Sequence, residues 1–130
     1  MLAGAMILRV SVEVTGPHAI VIRPEGDIDY SSLDPLREAL MDARMAGVRE
    51  IVVDLADVGF LDSQGLAVIL YAHRRQRAGG GRLILRNLND TARRLLHVTN
   101  LTAVLDVEGG IGEPPTASAV TGPRAAARHG

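Results

Sequence analysis

Asp62-Ser63-Gln64-Gly65 places a carboxylate, a hydroxyl and a glycine where an apolar run ends and a helical pattern begins. Three chemistries are open to such a stretch. Asp62 or Ser63 can accept a hydrogen bond from a free backbone N–H as a helix cap, with Gly65 easing close packing of the first turn. Ser63 could instead act as a nucleophile, but that needs a base within reach and a third group to orient it. Leu61 stands where a G-x-S-x-G elbow requires glycine, and none of His18, His73, His97 and His129 lies in a context suggesting a partner. Phosphate binding could also draw on Gly79-Gly80-Gly81. Neither glycine stretch resembles G-x-x-x-x-G-K-[ST], however, and every basic residue of the chain is Arg. The triple glycine is a helix-to-strand connection on this reading. Asp27 and Asp29 form a second acidic pair, in a stretch rich in turn residues. His73 and His97 have no second ligand at metal spacing, so no metal or cofactor is expected. Arg74, Arg75 and Arg77 suit the solvated C-terminal end of a helix.

Composition narrows the choice further. With 130 residues the chain is long enough for one domain with its own core. Its 47% apolar content is almost entirely aliphatic, with one Phe, two Tyr and no Trp, so stacking platforms for single-stranded nucleic acid are missing. Arginines and acids nearly balance at a formal charge of −1, which provides no broad electrostatic footprint for DNA or RNA. The absence of Cys excludes disulfides, thiol catalysis and thiolate metal sites. The apolar stretch from Gly65 to Ala72 falls far short of the ~20 residues that span a bilayer. A cytoplasmic protein with no membrane span is expected, and no leader peptide is visible at the N-terminus.

The elements that must position these residues follow from periodicity. Leu8, Val10, Val12 and Val14 alternate with polar residues, the mark of a half-buried strand near a sheet edge. A turn at "TGPH" and a β-rich run from Ala19 to Arg23 make an antiparallel hairpin. Leu33, Leu36, Leu40 and Ala43 share a helical face; Ser31, Ser32 or Asp34 is the expected cap, Pro35 fits the first turn and Gly47 is the stop. "IVVDL" at 51–55 reads as a strand covered on both faces, followed by a helix over 64–77 and a strand over 82–86, a β-α-β unit. Asp90 can cap a further helix through His97, and 103–107 can add a last strand. The expected architecture is a mixed α/β sheet with an N-terminal β-hairpin and interleaved helices. It divides into an N-terminal extension (1–6), a domain (7–107) and a flexible C-terminal tail (108–130) of Gly, Pro and small residues. Binding in such folds gathers at loops outside strand ends, here "EGDID" and "GFLDSQG".

"GDIDYSSLDPLREAL", "IVVDLADVGFLDSQGLAVIL" and "TARRLLHVTNL", in this order and spacing, resemble the STAS domain of anti-sigma factor antagonists. The resemblance covers about Val10 to Val107. It implies a small, non-enzymatic α/β domain that binds an anti-sigma factor, itself a serine kinase with a GHKL-type ATP-binding fold, and so frees a sigma factor. The family's phosphorylated serine carries over as Ser63, flanked by Asp62 and Gln64 and closed by Gly65. A serine phosphatase would reverse the modification. The family's G-E-L-D motif at the partner-binding edge corresponds to Gly26-Asp27-Ile28-Asp29, which adds Asp27 and Asp29 to the expected binding residues. Asp27 keeps the charge of the usual Glu with shorter reach, and Gln64 is bulkier than the usual small residue. Asn100 stands where Gly is common, in a position suited to a left-handed helix cap. The family's closing helix has no counterpart in the composition of 108–130. The same resemblance admits an alternative, a ligand-sensing or transport-accessory STAS domain without sigma-factor regulation.

Overall fold

A computed structural model describes residues 8–109. Strand β1 (Arg9–Gly16) turns through Pro17 and His18 into β2 (Ala19–Ile28), the expected antiparallel hairpin. Helix α1 (Asp34–Met45), strands β3 (Glu50–Asp54) and β4 (Asp57–Leu61), helix α2 (Ser63–Ala78), strand β5 (Arg82–Arg86), helix α3 (Asp90–Val98) and the two-residue strand β6 (Asp106–Val107) follow. The sheet runs β1-β2-β3-β5-β6, with every pairing beyond the hairpin parallel. The core is aliphatic, as the composition requires: Ile20, Ile22, Ile51, Val53, Leu83 and Leu85 of the sheet pack with Leu36 and Leu40 of α1, Leu66 and Ile69 of α2 and Leu96 of α3.

Several elements differ from the sequence expectation, each for a local reason. "GFL" is part of strand β4, not a loop, and "EGDI" is the second half of β2. The first half of β2 pairs with β3 and the second half with β4. The handover occurs at Asp54, whose Oδ1 accepts a hydrogen bond from the Ala56 N–H (3.0 Å) and turns the chain. Neither Ser31, Ser32 nor Asp34 caps α1; its N-cap is Leu33, without a side-chain bond, because the Ser32 hydroxyl is turned back into the preceding loop, accepting from the Asp29 N–H (3.1 Å) and donating to the Asp27 carbonyl (2.7 Å), and Asp34 already lies inside the helix. Asn89, not Asp90, caps α3, its Oδ1 accepting from the Ala92 N–H at 2.8 Å. Val52 of β3 is only half-buried, so that strand is not covered on both faces. Val12 and Val14 of β1 are 51% and 75% exposed, so the alternation of β1 yields a buried Leu8 and a half-buried Val10 but no covered strand face.

Other punctuation falls where the residue types place it. Pro35 is in the first turn of α1, and Gly47, at φ 79°, ends it as the Val48 N–H returns to the Ala43 carbonyl (3.0 Å). Asn100 adopts φ 61° after α3. The expected extension (1–6) and tail (108–130) lie outside the described residues, apart from Glu108 and Gly109. The Glu108 N–H donates to the Leu85 carbonyl at 2.8 Å.

Candidate functional site

The start of α2 is stitched to the end of β2 through one residue. Asp62, in extended backbone (φ −98°, ψ −179°), accepts from the Gly65 N–H through Oδ1 at 2.8 Å and from the Tyr30 N–H through Oδ2 at 3.2 Å. Its own N–H donates to the Ile28 carbonyl at 3.1 Å. Asp62 is therefore a cap, and also the tie between the Ser63 turn and the loop after β2. An N-cap of this kind stabilises by about 0.5–2 kcal/mol.

Gly65 completes the joint. It is buried, and a Cβ there would lie 2.6 Å from Ile28 Cγ2, 2.8 Å from Leu61 Cδ1 and 2.9 Å from the Ile28 carbonyl oxygen. Only glycine lets the helix seat this closely on β2 and β4. Ser63 and Gln64, by contrast, are exposed, and the Ser63 hydroxyl makes no hydrogen bond among the described residues. It projects at the helix N-terminus, where the first N–H groups have no intrahelical partner.

The neighbouring loop holds the other expected residues. A bulge between Gly26 (φ 123°) and Asp27 shifts the register of β2 against β4, where Asp27 pairs with Phe60. Asp27 is exposed, and its carboxylate lies over Gly59: a Cβ on that glycine would sit 3.2 Å from Oδ1. Asp29 is turned inward to its own turn, accepting from the Ser31 N–H (2.9 Å), the Ser31 hydroxyl (2.7 Å) and the Ser32 hydroxyl (3.2 Å). The Ser31 hydroxyl and N–H hold its carboxyl below the usual carboxylate value. The structure thus brings Asp27, Asp29, Asp62 and Ser63 to one edge but divides their work. Asp29 and Asp62 build the edge, whereas Asp27, Ser63 and Gln64 are exposed on it.

Two residues of this edge escaped the sequence reading. Tyr30 is 78% exposed and Phe60 45% exposed. The signal was present: the chain has only three aromatic residues, and two of them flank the motifs already singled out. Exposed aromatics beside an exposed hydroxyl and a carboxylate make a surface suited to a protein partner, since Tyr and Phe are enriched in interfaces. Hydrolytic chemistry at Ser63 lacks a base from this helix. His73 lies ten residues further along α2 and is buried, about 15 Å along the axis. Among the described residues no group of three or more His, Asp or Glu side chains is arranged to hold a metal ion, and no helix is long and apolar enough to cross a membrane.

The sequence model of the STAS domain matches residues 9–113. The anti-sigma-B factor antagonist of Bacillus subtilis (strain 168) is 33% identical over 96 residues, which cover 71% of this chain and 87% of that relative. Among solved structures, the anti-sigma factor antagonist SpoIIAA in its unphosphorylated form superposes with a TM-score of 0.66 at 24% identity, covering 90% of this chain and 97% of that one. The Bacillus cell fate determinant SpoIIAA in its phosphorylated form gives a TM-score of 0.62 at 22% identity over 89% and 99% of the two chains. At these identities the two superpositions establish a shared fold.

Proposed function

The chain belongs to the STAS domain family, and we propose that within it the protein is an anti-sigma factor antagonist switched by phosphorylation of Ser63. The observation that carries this reading is the exposed Ser63 hydroxyl at the N-terminus of α2, on an edge shared with Asp27, Tyr30 and Phe60. The unmodified edge docks on an anti-sigma factor with a GHKL-type serine kinase fold and so releases a sigma factor. The kinase then phosphorylates Ser63, and a serine phosphatase resets it. These events belong in the cytoplasm, and the protein itself catalyses nothing. That a SpoIIAA structure exists in a phosphorylated form supports the view that this fold tolerates the modification.

The physical basis is an asymmetry between folding and binding. A phosphate on Ser63 adds about −1.5 to −2 charge next to free N–H groups and the positive end of the α2 dipole, so the fold accommodates it. The same charge enters an edge that already carries Asp27, Asp29 and Asp62. A partner surface shaped for a neutral hydroxyl then meets repulsion and uncompensated desolvation. A penalty of about 3 kcal/mol weakens binding more than 100-fold.

The test is calorimetric titration of a candidate anti-sigma kinase with wild type, Ser63→Ala, Ser63→Glu and enzymatically phosphorylated protein, with phosphosite mass spectrometry after incubation with kinase and ATP. Wild type and Ser63→Ala should bind alike, and the phosphorylated form at least about 100-fold more weakly. Equal affinity of folded phosphorylated and unmodified protein refutes the switch.

A further inference from the structure

The two ends of the sheet are built differently. At one end β6 has two residues, too short to template another strand. At the other, β1 runs for eight residues with no Pro or Lys, and its outer backbone groups have no neighbour among the described residues. Val12 and Val14 on this strand are 51% and 75% exposed. They face the side of the sheet that carries the helices, because their cross-strand partners Ile22 and Ile20 are core residues. With Val10 they line a groove against Pro35, Ala39 and Ala43 of α1, whose lining also includes the exposed Glu38 and Asp42 of the same helix. The opposite face of β1 presents Arg9, Ser11 and Glu13.

We infer that β1 is a self-association edge, taking as its occupant β1 of a second copy of this chain in an antiparallel pairing about a two-fold axis at Ser11. The sequence Arg9-Val10-Ser11-Val12-Glu13 is self-complementary in that register. Arg9 lies opposite the partner's Glu13, Val10 opposite the partner's Val12, Leu8 opposite the partner's Val14, and Ser11 opposite itself; the two-fold axis repeats each unlike pair. Opposite residues share a face, so apolar meets apolar on the helix side and opposite charges meet on the other. A slip of one residue sets valines against charged or polar side chains. A slip of two, centring the axis on Val10 or Val12, leaves Arg9 facing Ser11 or Thr15 with no acid opposite.

The charges on the open face are ready to continue across the axis. Within one copy, Glu13 accepts from Arg23 at 2.6 Å, Arg23 lies 3.6 Å from Asp54, and Arg86 lies 3.0 Å from Asp54. Arg9 has only a loose 4.0 Å contact with Glu25. In the dimer Arg9 stands between Glu25 and the partner's Glu13, which extends an alternating row of charges from one sheet to the next. The joined edges become interior strands and the exposed valines are covered.

Sedimentation equilibrium of the full chain, with reciprocal charge reversals, tests this arrangement. Wild type should reach the dimer mass by about 1 mM protein. R9E alone sets acid against acid across the axis, and E13R alone sets arginine against arginine, so each should dimerise at least about tenfold more weakly, while circular dichroism shows both folded. An equimolar mixture of R9E and E13R should recover dimer, because both charge contacts across the axis then join an acid of the R9E copy to an arginine of the E13R copy. A wild type that stays monomeric at about 1 mM, single reversals that leave dimerisation unchanged, or a mixture that fails to recover it, each overturns the assignment.

Discussion

Gly65→Ala tests whether the Ser63 turn is held by close packing. The backbone of Gly65 has an ordinary helical φ, so Ala is favoured locally by up to about 1 kcal/mol. Against that stand three contacts of 2.6–2.9 Å for the new Cβ, one of them to the backbone oxygen of Ile28. Ile28 and Leu61 are 0% and 3% exposed, which leaves their side chains little room to retreat. Ordinary Cβ contacts begin near 3.4 Å, so the start of α2 must lift by most of an ångström. Such overpacking costs about 1–3 kcal/mol. The lift also stretches the 3.1 Å bond from the Asp62 N–H to Ile28 and the 3.2 Å bond from the Tyr30 N–H to Asp62, each contributing about 0.5–1.5 kcal/mol. The net expectation is a loss of about 2–4 kcal/mol, or a melting temperature about 10–20 °C lower.

Thermal unfolding followed by circular dichroism measures this, with Gly79→Ala as the internal control. Gly79 sits at the other end of the same helix at φ −91°, and an added Cβ there meets nothing closer than 3.7 Å. That substitution should be neutral or stabilising by about 0.4–1 kcal/mol. If Gly65→Ala melts within about 4 °C of wild type, the first turn is not seated by the contacts described, and the role given to the glycine is wrong.

Asp62→Ala removes both the cap and the tie to Tyr30 and should lower stability by about 1–3 kcal/mol in denaturant titrations, whereas Asp62→Asn, which keeps the capping oxygen but sets an amide NH2 against the Tyr30 N–H, should lose the tie alone, about 0.5–1.5 kcal/mol. Asp54 is buried, and although that burial pushes its carboxyl up, hydrogen bonds from Asn87, the Ala56 N–H and Arg86 outweigh it and hold the carboxyl below its usual value near 3.8. A depressed folded value means the contribution is fully present above the unfolded value and is lost as pH falls through the folded one. Asp54→Asn should therefore cost about 3 kcal/mol at pH 7, and the gap between wild type and variant should close as pH falls below about 4; a gap that is constant from pH 7 to pH 2 contradicts the assignment.

Most of the architecture was legible because the strong periodic runs belong to elements with a single covered face. Leu36, Leu40 and Ala43 mark α1, and the hairpin follows from the alternation before Gly16 and the β-rich run after His18. What escaped was β4. Five residues between Ala56 and Asp62, with only Val58 and Leu61 buried, carry too little pattern to separate a strand from a turn. Its existence depends on β2 running on past its last pairing with β3, so that Glu25 to Ile28 take a new partner once the chain has turned at Asp54, a long-range event that no local window contains. Asp62 caps α2 as its type suggests, but the cap of α1 failed for a related reason: Ser32 is a competent cap by type, yet its oxygen already accepts from the Asp29 N–H and its proton goes to the Asp27 carbonyl.

The candidate site shows the same division between residue type and geometry. Residue type together with the family resemblance nominates Asp27, Asp29, Asp62 and Ser63 as one group of acids around a hydroxyl. Geometry separates them, because a carboxylate that already accepts two or three hydrogen bonds from the residues around it keeps only one or two of its roughly four lone-pair sites for a partner. Asp29 is in that position through Ser31 and Ser32, and Asp62 through Gly65 and Tyr30. The Asp62 tie also means that the loop bearing Tyr30 and the turn bearing Ser63 cannot move independently. Under the proposed function, a phosphate on Ser63 would therefore act on a pre-built edge, and its effect on a partner would be the electrostatic cost of the phosphate itself, with no rearrangement of the domain required to transmit it.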